Sequence, residues 1–104
     1  MTGIDLIALE RQRQIVKEGW TNEHDDFHDE GELAIAAACY ATTDTKHYIG
    51  DIWPFEKSWW KPSEDPIRNL QKAGALIAAE IDRQMRLKYP KQMGYVPADE
   101  QFVD

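Results

Sequence analysis

Three features of the 104-residue sequence predict an all-α fold: a small three-helix domain with a long aromatic loop between helices 2 and 3 and an irregular C-terminal tail. Apolar residues recur at steps of three and four over residues 4–18 and again over 64–88, the period of a helix with one buried face. Between these segments, ELAIAAACYA is rich in alanine, the strongest helix former. Proline and glycine gather in the stretch 42–65 and after residue 89, where they punctuate loops.

The first helix is expected over 4–18. Ile4, Ile7, Ala8, Arg11 and Ile15 share one face, and Leu6, Leu9, Arg13 and Val16 widen it. Thr2 or Asp5 suits the N-cap, and Gly19 suits a left-handed position after the last turn. Residues 20–27 read as a polar corner edged by Trp20 and Phe27. A second helix is expected over 29–41, with Gly31 weakening its first turn. Residues 42–65 carry Trp53, Phe55, Trp59 and Trp60. An irregular connection of that length is uncommon in a compact domain. It reads either as a lid packed on two slender helices or as an aromatic platform for a planar ligand. The third helix, over 64–88, starts at Ser63 or Asp65, tolerates Pro66 in its first turn, and ends in Arg83, Arg86 and Lys88, which suit the negative pole of its dipole. Its apolar row is Ile67, Leu70, Gly74, Ile77, Ile81 and Met85, with small residues around it. The segment AGALIAAEI is expected to pack on ELAIAAACYA, completing one domain over 1–104.

Composition narrows the function. The chain is 42% hydrophobic and 30% charged, which reads as globular rather than disordered. Its net charge of −7 argues against duplex nucleic acid as a partner, since that binding needs clustered bases. The single cysteine, Cys39, sits in an apolar run and allows no internal disulfide, so a reducing cytoplasm is expected. No run approaches a membrane span, and the first fifteen residues lack the apolar core of a signal peptide.

Two constellations carry chemistry. From Glu18 to Glu32, seven of fifteen residues are carboxylates and two are the imidazoles His24 and His28. Asp25, His28, Glu32 and, from the third helix, Glu80 form a tentative metal set, with Mg²⁺ or Mn²⁺ as the expected ion; oxygen ligands suit Mg²⁺, Mn²⁺ or Ca²⁺, and the added imidazole tilts toward Mn²⁺, Fe²⁺ or Zn²⁺. The bland alternative is helix capping and dipole pairing. The second constellation is basic, Lys57, Lys61, Arg68 and Lys72: Lys61 follows Trp59 and Trp60, and Arg68 and Lys72 lie four apart on the third helix. Cations beside tryptophans can hold a phosphate and stack a base; the bland alternative is a solvated basic face. Trp59, Trp60, Lys61, Arg68 and Lys72, with Arg11, Arg13, Trp20, Thr21, His24, Asp25 and Asp26, form the expected ligand-binding set. No glycine-rich phosphate loop, GxSxG, CxxC or zinc-finger spacing occurs, which argues against a nucleophilic hydrolase.

The blocks ERQRQIVKEGWTNEHDDFHDEGELAIAAACYA, WPFEKSWWKP and RNLQKAGALIAAEIDR together resemble a family of small proteins of tailed bacteriophages and prophages. That resemblance implies an accessory protein acting in the cytoplasm of a bacterial host. The packed helices with Glu32 and Glu80 are also similar to MazG-like all-α nucleotide pyrophosphohydrolases, although the paired EExxE pattern is missing. The stretch R-x₄-EGWT from Arg13 to Thr21, followed by Asp25 and Asp26, looks like the start of a ryanodine-receptor-type repeat, a module linked with adenine-nucleotide-like ligands. The first expectation is therefore an accessory protein that binds a nucleotide or nucleotide-derived signal, sequestering it from host defence. The alternatives are a metal-dependent pyrophosphohydrolase and an inhibitor that meets a host protein through its acidic surface. A homo-oligomer is expected, because alanine-rich helices can pair between subunits.

Overall fold

Four α-helices and two short 3₁₀ turns make up the computed structural model, which describes residues 1–89. The helices are α1 (Gly3–Lys17), α2 (Asn22–Asp26), α3 (Glu32–Thr42) and α4 (Pro66–Lys88). Among the described residues there is no strand, and no helix is long and apolar enough to cross a membrane. The expected tail lies, beyond Tyr89, outside the described residues.

Local chemistry sets the boundaries. Thr2 caps α1 in a capping box: its Oγ1 accepts from Asp5 N, and the Asp5 carboxylate accepts from Thr2 N at 2.7 Å. Gly19 takes φ 73 after the last turn of α1, as its lack of a Cβ permits. The corner at 20–27 is itself a short helix, α2, capped by the Thr21 hydroxyl, which accepts from His24 N. Helix α3 starts three residues later than expected because Gly31 adopts φ 85 and no side chain caps it. Asp65 caps α4 by accepting from Ile67 N, with Pro66 in the first turn.

Helix α3 packs chiefly on α4, and α1 lies against α4 from another side. The core is built of Leu33, Ala36, Ala37 and Tyr40 from α3 against Ala73, Leu76 and Ala79 from α4. Trp20, Trp53, Phe55 and Trp60 close over it. Alanine on both faces lets the two backbones approach closely, and the loop aromatics supply the apolar area those alanines lack. Cys39 is buried and unpaired, its thiol pushed up by that burial.

The face that α4 turns inward is not its most apolar one. Asn69, Ala73, Leu76, Glu80 and Arg83 are buried, whereas Ile67, Leu70, Ile77 and Ile81 are exposed. The same inversion holds in α1, where Glu10 and Gln14 are buried and Ile4, Leu9, Ile15 and Val16 are exposed. The periodic stripes expected to form the core therefore lie on the surface of the protomer. The inward faces are held by small residues and by polar groups that satisfy one another. Arg86 and Lys88 stand in the last turn of α4, at the negative pole of its dipole, whereas Arg83 lies before it; Arg83 is ion-paired with Glu80 at 2.7 Å and Arg86 also with Asp26 at 2.7 Å.

One buried amide ties down the long loop. Asn69 Oδ1 accepts from Ser63 N at 2.7 Å, and its Nδ2 donates to Ser63 O at 2.8 Å and to Asp44 Oδ2 at 2.9 Å. Both ends of the connection are thereby fixed to α4. Replacing Asn69 with Ala should leave buried loop groups unpaired and cost about 2–3 kcal/mol in urea unfolding. A loss under about 0.5 kcal/mol, the range of neutral surface changes, would show that Asn69 does not hold the loop.

Candidate functional site

The middle of α1 supplies a buried carboxylate around which cations collect. Glu10 is 2% exposed. Arg13 grips it with two parallel bonds, Nε to Oε1 at 2.8 Å and Nη2 to Oε2 at 2.9 Å. Arg68 reaches it from α4 with Nη2 at 2.8 Å, and Gln14 Nε2 donates at 3.3 Å. Burial pushes the Glu10 carboxyl upward, but the bonds from Arg13 and Arg68 outweigh it and leave the group below the usual carboxylate range. Arg13 also donates through Nη1 to Glu18 at 2.9 Å, and its own pKa is raised, chiefly by the bond to Glu10.

Above this network lies a cleft of about 260 Å³ lined by Arg13, Glu18, Trp20, Tyr40, Trp59, Lys61 and Lys72. Four elements build it: the end of α1 with the turn that follows, α3 through Tyr40, α4 through Lys72, and the aromatic loop. Tyr40 is buried, and its hydroxyl accepts from Lys61 N at 3.2 Å, which fixes the loop backbone at the rim. Lys72 Nζ donates to Lys61 O at 2.6 Å and stands 5.4 Å from the centre of the Tyr40 ring. Burial first, and then the charge of Arg68, hold the Lys72 ammonium below the ordinary lysine range. Three cations and one carboxylate line the cleft, on a chain whose net charge is −7. That local excess of positive charge attracts anions.

The acidic corner works behind the cleft rather than in it. Asp25 is fully buried; Oδ2 accepts from Arg11 at 2.9 Å and Oδ1 lies 2.9 Å from His24 Nδ1. His24 stacks on Trp20, with ring centres 5.5 Å apart and planes within 5°. Asp25 therefore sets the orientation of His24, and His24 backs the tryptophan that lines the cleft. Thr21 is a helix cap, Asp26 pairs with Arg86, and Arg68 is spent on Glu10. Trp60 packs on Tyr40 and Trp53, with ring centres 4.7 and 4.8 Å apart, while its neighbour Trp59 lines the cleft.

Of the expected ligand-binding set, the cleft thus gathers Arg13, Trp20, Trp59, Lys61 and Lys72. Arg11, Thr21, His24, Asp25, Asp26, Trp60 and Arg68 serve in support. The expected metal set is not brought together. His28 Nδ1 lies 3.2 Å from Glu32, Glu32 also accepts from Glu30 N, and Glu80 accepts from Arg83 and Gln84. Among the described residues no group of three or more His, Cys, Asp or Glu is placed to hold a metal ion. Glu10, Glu18 and Tyr40 were missing from the sequence-based set. Glu10 has Ala8 and Leu9 on one side but Arg11, Gln12 and Arg13 on the other, so its sequence surroundings, unlike those of Glu80, do not mark it for burial.

No family model, curated protein or solved structure matches the chain.

Glu10→Gln removes the charge that holds Arg13 and Arg68 together and should cost about 3 kcal/mol; Glu18→Gln, at the exposed rim, should cost under about 1 kcal/mol. The folded pKa of Glu10 lies below its unfolded value. Its contribution is therefore full above the unfolded value, roughly 4.3, and is lost as the pH falls through the folded one. Urea unfolding across that acid range should show a fall in stability that Glu10→Gln lacks. Equal pH profiles for the two proteins would refute the assignment.

Proposed function

We propose that the cleft binds a nucleotide or nucleotide-derived signal, and that the protein is a phage accessory protein that sequesters it from host defence. The observation that carries this reading is the gathering of Lys61 and Lys72, with Arg13 held beside them by Glu10 and Glu18, and of Trp20 and Trp59 around one cleft of an acidic chain. Cations meet phosphate oxygens through charge-assisted hydrogen bonds, and tryptophan faces stack on a base at about 1–3 kcal/mol each. At about 260 Å³ the cleft falls just below the usual range of ligand pockets, roughly 300–1,000 Å³. It suits a single nucleotide unit with its phosphates at the open, basic rim. The likeness of R-x₄-EGWT to a nucleotide-linked repeat points the same way, since its Arg13, Glu18 and Trp20 all line the cleft.

The pyrophosphohydrolase alternative calls for Glu32 and Glu80 to carry a metal between phosphates, and each of these carboxylates already accepts from side chains of its own neighbourhood. The inhibitor alternative draws on the exposed acids Glu23, Asp26, Asp29 and Glu30, of which Asp26 is already paired with Arg86.

Mass spectrometry of small molecules released by denaturing protein purified from infected cells should find an intact nucleotide, in amounts comparable to the protein. Titration of the ligand-free protein with that nucleotide should quench tryptophan fluorescence. Trp59→Ala and Lys72→Gln should each weaken binding about tenfold or more. Wild-type affinity should fall on the alkaline side at a lower pH than an ordinary lysine would give, because Lys72 loses its proton early; Lys72→Arg should shift that fall upward. Release of no nucleotide, with no quenching by mono-, di- or cyclic nucleotides, would overturn the reading. Release of a monophosphate together with pyrophosphate after incubation with a triphosphate would favour the enzyme.

A further inference from the structure

The protomer keeps small residues inside and large aliphatic ones outside. Among the described residues, five of the nine buried hydrophobic ones are alanines, and only Leu33, Tyr40 and Leu76 are large. On α4, by contrast, Ile67, Leu70, Ile77 and Ile81 are 62%, 56%, 49% and 52% exposed, and on α1 Ile4 is 80% exposed. These residues form one surface rather than scattered points. Ile7, one turn beyond Ile4, packs over Gly74, where an added Cβ would collide with its side chain. Gly74 lies in the middle of the α4 row, so the row on α4 continues onto α1 across that contact.

We propose that a second copy of this chain packs against this α1–α4 surface, making a two-fold dimer. The order of residues along α4 favours a second copy over an unrelated partner. Ile67 and Ile81 each lie seven residues from Gly74, with Leu70 and Ile77 between them. Reversed about Gly74, the row presents the same residue types in nearly the same places, as an isologous interface requires. Steps of three and four in strict alternation are the spacing of a helix-to-helix seam. The row holds no charged residue, so two chains of net charge −7 can meet there. The exposed apolar area is on the order of 500 Å² per protomer, near the upper limit that monomers leave uncovered. Pairing two copies hides about 1,000 Å² of it, and the polar rim brings the total into the range of about 1,200–2,000 Å² found in stable interfaces. The alanine-rich faces expected to pair between subunits are consumed inside the protomer; the isoleucine row takes that role. This dimer does not depend on the nucleotide reading, because none of the row's residues lines the cleft.

Sedimentation equilibrium of the full chain decides the matter. The wild type should run at twice the chain mass of 12.0 kDa. The pair Ile77→Glu with Ile81→Glu should raise the dimer dissociation constant at least 100-fold, and Ile52→Glu, an exposed apolar position in the loop, should leave it unchanged. If circular dichroism shows the glutamate pair unfolded, Ile77→Ala with Ile81→Ala should still fold and weaken the dimer about tenfold. A wild type that stays monomeric at about 100 μM overturns the proposal. So does a dimer that both substituted pairs leave intact.

Discussion

A carboxylate with almost no access to water, Glu10, has to be matched by cations, and the matching organises this protein. Leaving such a charge unpaired costs several kcal/mol. Arg13, one turn on, and Arg68, from a helix distant in sequence, supply the match at 2.8–2.9 Å. The pairing docks α1 on α4 at the point where Lys72 and Lys61 also converge. Glu10 and Glu18 together carry two negative charges against the four bases Arg13, Lys61, Arg68 and Lys72, so an excess of positive charge remains where the cleft opens. A bond that serves folding thereby leaves the surface above it suited to anions.

The rest of the interior follows a similar rule. Alanine faces bring α3 and α4 close, but they bury little area, and the shortfall is met by rings from the loop. Asn69 pins that loop at Asp44 and Ser63, Tyr40 catches its backbone at Lys61, and Trp53 and Trp60 pack on Tyr40. Trp59, next in sequence to an anchor, is left at the rim. Function and packing share one tryptophan pair: Trp60 gives the loop its seat and Trp59 faces the opening. The corner after α1 repeats the pattern, with Asp25 and Arg11 holding His24, and His24 backing Trp20.

Helix content, the loop and most caps were legible from spacing and residue type, because Thr2, Gly19, Asp65 and Pro66 act through their own backbones. The facing of α1 and α4 was not. Periodicity shows that isoleucines share a side, but not whether that side meets the same chain or another. Burial of Glu10 and Glu80 depends on guanidinium groups whose approach is a tertiary fact. The basic and aromatic part of the site was legible as residue types that belong together, Lys61 beside Trp59 and Lys72 one turn beyond Arg68. The acidic corner misled, since Asp25, His28, Glu32 and Glu80 share the chemistry of metal ligands and of ion pairs. Only geometry separates the two, and here each has a protein partner.

The most direct measurement of the central claim is the ionisation constant of the Glu10 side chain in the folded protein, followed by its carboxyl ¹³C shift during an acid titration. Paired with Arg13 and Arg68, it should titrate below the ordinary glutamate range. Titration at or above that range would mean that burial prevails over the cations, and that the network does not form as described.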